Sequence, residues 1–154
     1  PTNLTNNPAQ HDMYPGWSPD GEKIAFESWR DGSYGVYVMD ADGGNQTHLV
    51  SGSSARWSPD SSKIAFTSSD GEDLEVYVAY ADGSEQVKVT DNLVDDSGPM
   101  WSSDGRQIAY RSEVGGNWEV YVVDADGRNE RRVTDNPALD YLPVWSPRSG
   151  WLWR

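Results

Sequence analysis

The sequence predicts an all-β fold, a β-propeller built of four-stranded antiparallel blades, with three full repeats plus partial terminal ones. Three observations predict it. The first is repetition. WSPDGEKIAFESWRDGSYGVYVMDADGGNQTHLV, residues 17–50, returns as WSPDSSKIAFTSSDGEDLEVYVAYADGSEQVKVT at 57–90 and as WSSDGRQIAYRSEVGGNWEVYVVDADGRNERRVT at 101–134, without an internal gap. Trp17, Trp57, Trp101 and Trp145 set a period of 40 to 44 residues, which decides the architecture before any other feature does. The second is composition: 8 Trp, 8 Tyr, 15 Gly and 9 Pro in 154 residues favour short strands joined by tight turns. The third is pattern. Four apolar or β-branched runs per unit, bounded by Pro-Asp and Asp-Gly turns, describe one blade.

In the first unit the innermost strand is expected around Trp17 (13–18), the second at 23–28, the third at 34–39 and the fourth at 47–50. Ile64-Ala65-Phe66 and Val120-Tyr121-Val122-Val123 are apolar at successive positions, as in strands covered on both faces. The predicted division is residues 1–5 as the last strand of a blade, blades at 13–50, 53–90 and 97–134, and the start of a further blade at 141–154. Antiparallel order puts the Pro19-Asp20-Gly21 and Asp40-Ala41-Asp42-Gly43 turns on one face. The linkers between units and the turns between second and third strands then share the other face. Only those linkers change in length, and loops that vary on a fixed scaffold are where binding is expected.

Charge narrows the partners. With 25 acidic and 12 basic residues the formal net charge is -13, which opposes binding to nucleic acid and favours basic partners or cations. No apolar run is long enough to insert into a membrane, and the absence of Cys excludes disulfides and thiolate metal sites.

The motif Trp17-Ser18-Pro19-Asp20-Gly21, Ile24-Ala25-Phe26, Tyr37-Val38-Met39-Asp40 and Asp42-Gly43, recurring three times in register, resembles the TolB-like (PD40, WD40-like) β-propeller repeat. The resemblance covers nearly the whole chain. It implies a protein-binding propeller, as in periplasmic relatives, or a propeller that precedes the catalytic domain of prolyl-oligopeptidase-like peptidases. It also implies a periplasmic or extracellular setting.

Three linkers place Asp five residues before the Trp: Asp12, Asp96 and Asp140. Near the mouth of the central channel these would form an acidic ring for a cation such as calcium, or would cap backbone N–H groups within their own loops. No other cofactor is expected. Trp29, Arg30, Tyr34 and Trp118 fall in or beside the turns between second and third strands, where aromatic side chains stack on sugars or anchor a peptide. His11 and His48 occupy different repeat positions. No nucleophile elbow, zinc-binding His pair or phosphate loop occurs, so catalysis is not expected. The expected function is a non-enzymatic protein- or peptide-binding scaffold. The alternatives are a cation-binding propeller and the propeller part of a larger peptidase or other enzyme.

Three units do not close a ring. The outer faces of the first and last blades are expected to expose apolar surface, covered in a head-to-tail homodimer in which residues 1–5 pair with 142–146 of a second copy. From Arg148 onward the repeat pattern is lost.

Overall fold

The Ser-Pro-Asp and Ser-Ser-Asp sequences reverse the chain by the same means in every unit. The Ser18 hydroxyl donates to Asp20 Oδ1 at 2.6 Å and accepts from the Lys23 amide at 2.9 Å. Ser58 with Asp60 and Lys63, and Ser102 with Asp104 and Gln107, repeat the arrangement. The computed structural model describes residues 2–7, 11–30, 32–69 and 71–146, together with the backbone of 152–153. Pro1 and the altered stretch at 147–151 and 154 lie outside the described residues.

The strands form three four-stranded antiparallel sheets in simple meander order. The first holds β1 (Asp12–Trp17), β2 (Lys23–Arg30), β3 (Ser33–Asp40) and β4 (Thr47–Val50). The second holds β5 (Ser53–Trp57), β6 (Lys63–Ser69), β7 (Leu74–Tyr80) and β8 (Val87–Lys88). The third holds β9 (Asp96–Trp101), β10 (Gln107–Val114), β11 (Asn117–Asp124) and β12 (Arg131–Arg132). A two-stranded sheet of β13 (Val144–Trp145) and β14 (Leu152–Trp153) follows. The first and third sheets begin one residue earlier than the sequence suggests, at Asp12 and Asp96.

Alternation in β2 and β3 sends one set of side chains to each neighbouring blade, which is why both sets are apolar. Ala25, Val36, Val38 and Val50 meet Ile64, Phe66 and Ala79 of the second blade. Ala65, Val76, Val78 and Val89 then meet Ile108, Tyr110 and Val123 of the third.

Two further ladders tie the blades together. Each indole N–H donates to the carbonyl one residue before the preceding blade's tryptophan: Trp57 to Gly16 at 3.1 Å, Trp101 to Arg56 at 3.0 Å, Trp145 to Met100 at 2.9 Å. At the outer edge, Gly83 and Gly127 sit against the carbonyls of Leu49 and Val89, so close that a Cβ would lie 2.6 and 3.0 Å from the oxygen. Gly43 makes the same contact with Leu4. Thr2–Thr5 form no strand pairing, yet Leu4 occupies the place that a preceding blade's fourth strand would fill. Replacing Trp101 by Phe is expected to cost about 1 kcal/mol in urea unfolding, through the lost indole hydrogen bond. Trp17→Phe serves as the control: Trp17 is 57% exposed and its indole has no acceptor among the described residues.

The expected apolar outer face of the first blade is not found. Ile24, Phe26, Tyr37 and Met39 are buried, with Leu4 packed on them. The Arg30 guanidinium lies 5.2 Å from the centre of the Phe26 ring and 4.8 Å from that of Tyr37, and donates to Asp12, Ser28 and Gln46. Gln46 in turn donates to the Leu4 carbonyl. A polar lid over an aromatic pair has replaced an open patch.

Candidate functional site: a cleft between the first two blades

The strand directions put the inter-unit linkers and the ends of β2, β6 and β10 on one face, as the repeat requires. On that face the link from β4 to β5 is only Ser51-Gly52. Gly52, at φ +151°, passes so close to β6 that a Cβ would lie 2.4 Å from the Thr67 carbonyl. A linker held this low leaves an open cleft of about 550 Å³ between the first two blades. Met13, Tyr14, Tyr34 and Leu74 supply its apolar walls, Ser51, Ser53, Ser68 and Ser69 its polar rim, and Glu27 the one charged side chain among the described lining residues. The opposite face has a smaller hollow of about 350 Å³ between the second and third blades, bounded by Asp60, Asp104 and Lys63. Hydroxyls of Ser58 and Ser62 hold Asp60 down at about 2, so the turn face stays anionic.

Tyr14 owes its position to a bulge. The pairing of β1 with β2 shifts between Met13 and Gly16, and Tyr14 adopts φ +51°. The equivalent residues Ser54 (φ +56°), Gly98 (φ +67°) and Leu142 (φ +53°) share this left-handed conformation. Glycine is the residue best suited to it, and a tyrosine there is strained. The strain coincides with exposure: Tyr14 is 68% exposed. Tyr34 faces the same cleft, 40% exposed, and makes an edge contact of 4.9 Å with Trp29. Glu27 is 7% exposed and accepts the Ser54 amide at 2.7 Å. Among the described residues no cation pairs with it.

The residues singled out in the sequence separate. Trp29 and Tyr34 stand together, and Tyr34 lines the cleft. Arg30, one position on, points to the opposite side of the sheet and forms the lid described above. Trp118 belongs to the third blade, where the Arg111 guanidinium lies 4.7 Å from its ring and 5.5 Å from Tyr141. Each of the three acids begins or precedes an inner strand on the linker face, but they do not converge. Asp12 accepts from Ser28 and Arg30. Asp96 and Asp140 accept from Asn92 and Asn136, four residues earlier in their own linkers. Among the described residues no three His, Cys, Asp or Glu side chains come together as a metal site.

Burial works to raise the Asp12 carboxyl, but the Ser28 and Thr5 hydroxyls and Arg30 outweigh it and hold it low. Burial pushes Asp96 up to about 7, only partly countered by Ser112, Asn92 and Thr90. Tyr14, Glu27, Met13 and Leu74 were not legible as site residues. The available signal at Tyr14 was an aromatic three residues before the Trp, where the other copies carry Ser, Gly and Leu. No helix among the described residues is long and apolar enough to cross a membrane.

The model of the TolB beta propeller domain family (PD40) matches residues 50–152. None of the curated proteins matches the chain. Among solved structures, the putative TolB from Agrobacterium tumefaciens is 28% identical with a TM-score of 0.72, over 84% of this chain and 50% of that one. TolB from Acinetobacter baumannii is 22% identical with a TM-score of 0.77, over 89% and 35%. A puromycin-hydrolyzing peptidase of Mycobacterium tuberculosis shares the fold at 18% identity and a TM-score of 0.67, over 83% and 24%. The chain thus spans half of the first of these proteins and less of the others.

Proposed function

Because this chain belongs to the TolB β-propeller domain family, we propose that it is a non-enzymatic scaffold that binds an extended protein or peptide segment. The binding place is the cleft between its first two blades. The observation that supports this reading is an open cleft of about 550 Å³ on the variable-linker face, walled by Tyr14, Tyr34, Met13 and Leu74. Exposed aromatic side chains with a polar hydroxyl rim are the composition of a protein-recognition surface. The similarity to proteins named TolB fits such a role, and fold alone does not supply it. The test is selection of peptides from a random display library on the full chain, with binding mapped by amide chemical shifts. Enriched peptides are expected to perturb Ser51, Ser53, Ser68 and Leu74. Failure to enrich any peptide, or perturbation confined to the Asp20, Asp60 and Asp104 turns, would overturn the reading.

The scaffold is also proposed to assemble with a second copy. The tryptophan ladder supports this, since the Trp17 indole is exposed and every other rung donates to the carbonyl one residue before a Trp. Val144 of a second copy occupies that position. Light scattering is expected to give twice the chain mass, reverting to a monomer in Trp17→Ala; a wild-type monomer at all concentrations rules the assembly out.

A further inference from the structure

Glu27 has a structural task that does not need its charge. Its carboxylate accepts the amide of Ser54, the left-handed residue of the next blade's bulge. One blade on, the equivalent residue is Thr67, and its hydroxyl accepts the amide of Gly98 at 3.2 Å. A neutral side chain therefore performs the same capping between the second and third blades. At Glu27 a carboxylate stands instead, almost buried, in a cleft where it is the one charged lining residue among those described. Three other carboxylates have cations: Glu75 has Lys88, Glu119 has Arg132 and Asp12 has Arg30. Asp96, fully buried, has none among the described residues, and burial drives it toward its neutral form. A buried charge without an opposite charge is unfavourable, which marks the position as one that a cation completes.

The third blade shows what fits there. The residue equivalent to Glu27 is Arg111, and the residue equivalent to Tyr34 is Trp118. The Arg111 guanidinium lies over both Trp118 and Tyr141 of the following linker, with Nε donating to Ser97 at 2.8 Å. The same inter-blade space thus holds a guanidinium of its own in the third repeat. In the first repeat it is left open and carries the opposite charge.

We propose that the cleft between the first two blades takes up an arginine side chain of a basic partner segment. The guanidinium lies between Tyr14 and Tyr34, and its charge is met by Glu27. This deepens the scaffold reading and rests on it. Tyr14 supports the assignment independently, because it is held strained and exposed at a bulge where the third blade uses Gly98. Aromatic faces and a poorly hydrated carboxylate together select a guanidinium over a neutral side chain of equal size. The net charge of -13 draws basic segments toward the protein in general, and the cleft gives them a place to dock.

The test is a chemical-shift titration of the full chain with Nα-acetyl-arginine amide, and with Nα-acetyl-citrulline amide as the neutral isostere. The arginine compound is expected to bind at least about tenfold more tightly and to shift the Ser53 and Ser54 amides. Glu27→Gln, which keeps the acceptor for Ser54, is expected to abolish that preference. Glu27→Thr, copying Thr67, should do the same if the glutamine variant folds poorly. Tyr14→Gly should weaken binding while raising the melting temperature, since it relieves the left-handed strain; a purely structural tyrosine would not part the two readouts. Equal binding of citrulline, or an unchanged preference in both Glu27 variants, overturns the proposal. Should selected peptides still map to the cleft in that case, the scaffold reading survives and only the arginine assignment falls. If neither the arginine compound nor any selected peptide binds there, both fall.

Discussion

Glu75→Ala is expected to destabilise the protein by about 3 kcal/mol in urea or thermal unfolding, one of the two largest effects the structure predicts. Glu75 is fully buried, and its carboxylate accepts the Thr90 hydroxyl at 2.5 Å and the Asn92 amide at 2.9 Å. Lys88 approaches it at 3.2 Å. Thr90 passes the connection on by accepting the Val76 amide. Glu119, Thr134 and Arg132 reproduce the network in the third blade. Alanine would leave a buried hydroxyl and amide without their acceptor, and Lys88 without its buried partner. Glu75→Gln keeps the acceptor for Asn92 and is expected to lose roughly half as much.

The first blade supplies the control for this prediction. The positions of Glu75, Lys88 and Thr90 are taken there by Gly35, His48 and Val50. His48 makes an edge contact with Tyr37 at 5.2 Å and fills the space of the carboxylate: a Cβ on Gly35 would lie 2.7 Å from its Nε2. The two arrangements are alternatives, each satisfied as a set. The triple change Glu75→Gly, Lys88→His, Thr90→Val is therefore expected to recover most of the stability lost in Glu75→Ala. Simple additivity of the three single losses would refute the idea of an exchangeable set.

The repeat made the blades, their strand order and the division of turns between two faces legible, because each follows from periodicity and antiparallel sense. It also placed Trp29 and Tyr34 beside the turn between second and third strands, where they pair across β2 and β3. The cleft itself was hidden for four physical reasons. Tyr14 gains its exposure from a positive φ, and the four equivalent residues share that conformation without sharing a side-chain type. Glu27 sits at the end of the run Ile24-Ala25-Phe26, and only the pairing register shows that it faces the second blade, whereas Phe26 faces away. Arg30 carries the charge expected of a partner contact, but alternation along β2 turns it back over Phe26 and Tyr37. The short Ser51-Gly52 linker is visible in the sequence; that it opens the cleft depends on Gly52 passing close to Thr67.

The second large effect is a pH dependence centred on Asp96. Asp12 and Asp96 occupy the same place in their repeats, yet Arg30 pairs with the first, while its counterpart beside the second is Val114. Asp96 is fully buried, Asn92 donates to its Oδ2 at 2.6 Å, and its Oδ1 has no hydrogen bond. Removal from water accordingly raises the carboxyl from 3.8 to about 7. Below the unfolded value both states hold the proton and the group is neutral in its effect. As pH rises from 4 toward 7 the unfolded chain ionises and the native protein does not, so stability falls. Above 7 the loss is complete, up to about 4 kcal/mol. Asp96→Asn keeps the acceptor for Asn92 and has nothing to ionise, so its melting temperature should exceed that of the wild type increasingly from pH 4 to pH 7 and then by a constant margin. Val114→Arg should act by the opposite route, holding the carboxylate charged as Arg30 holds Asp12, and should remove the decline without removing the acid. A wild-type melting temperature that moves in parallel with that of Asp96→Asn across this range would show that the carboxyl titrates normally. The contrast between Asp12 and Asp96 would then need another cause.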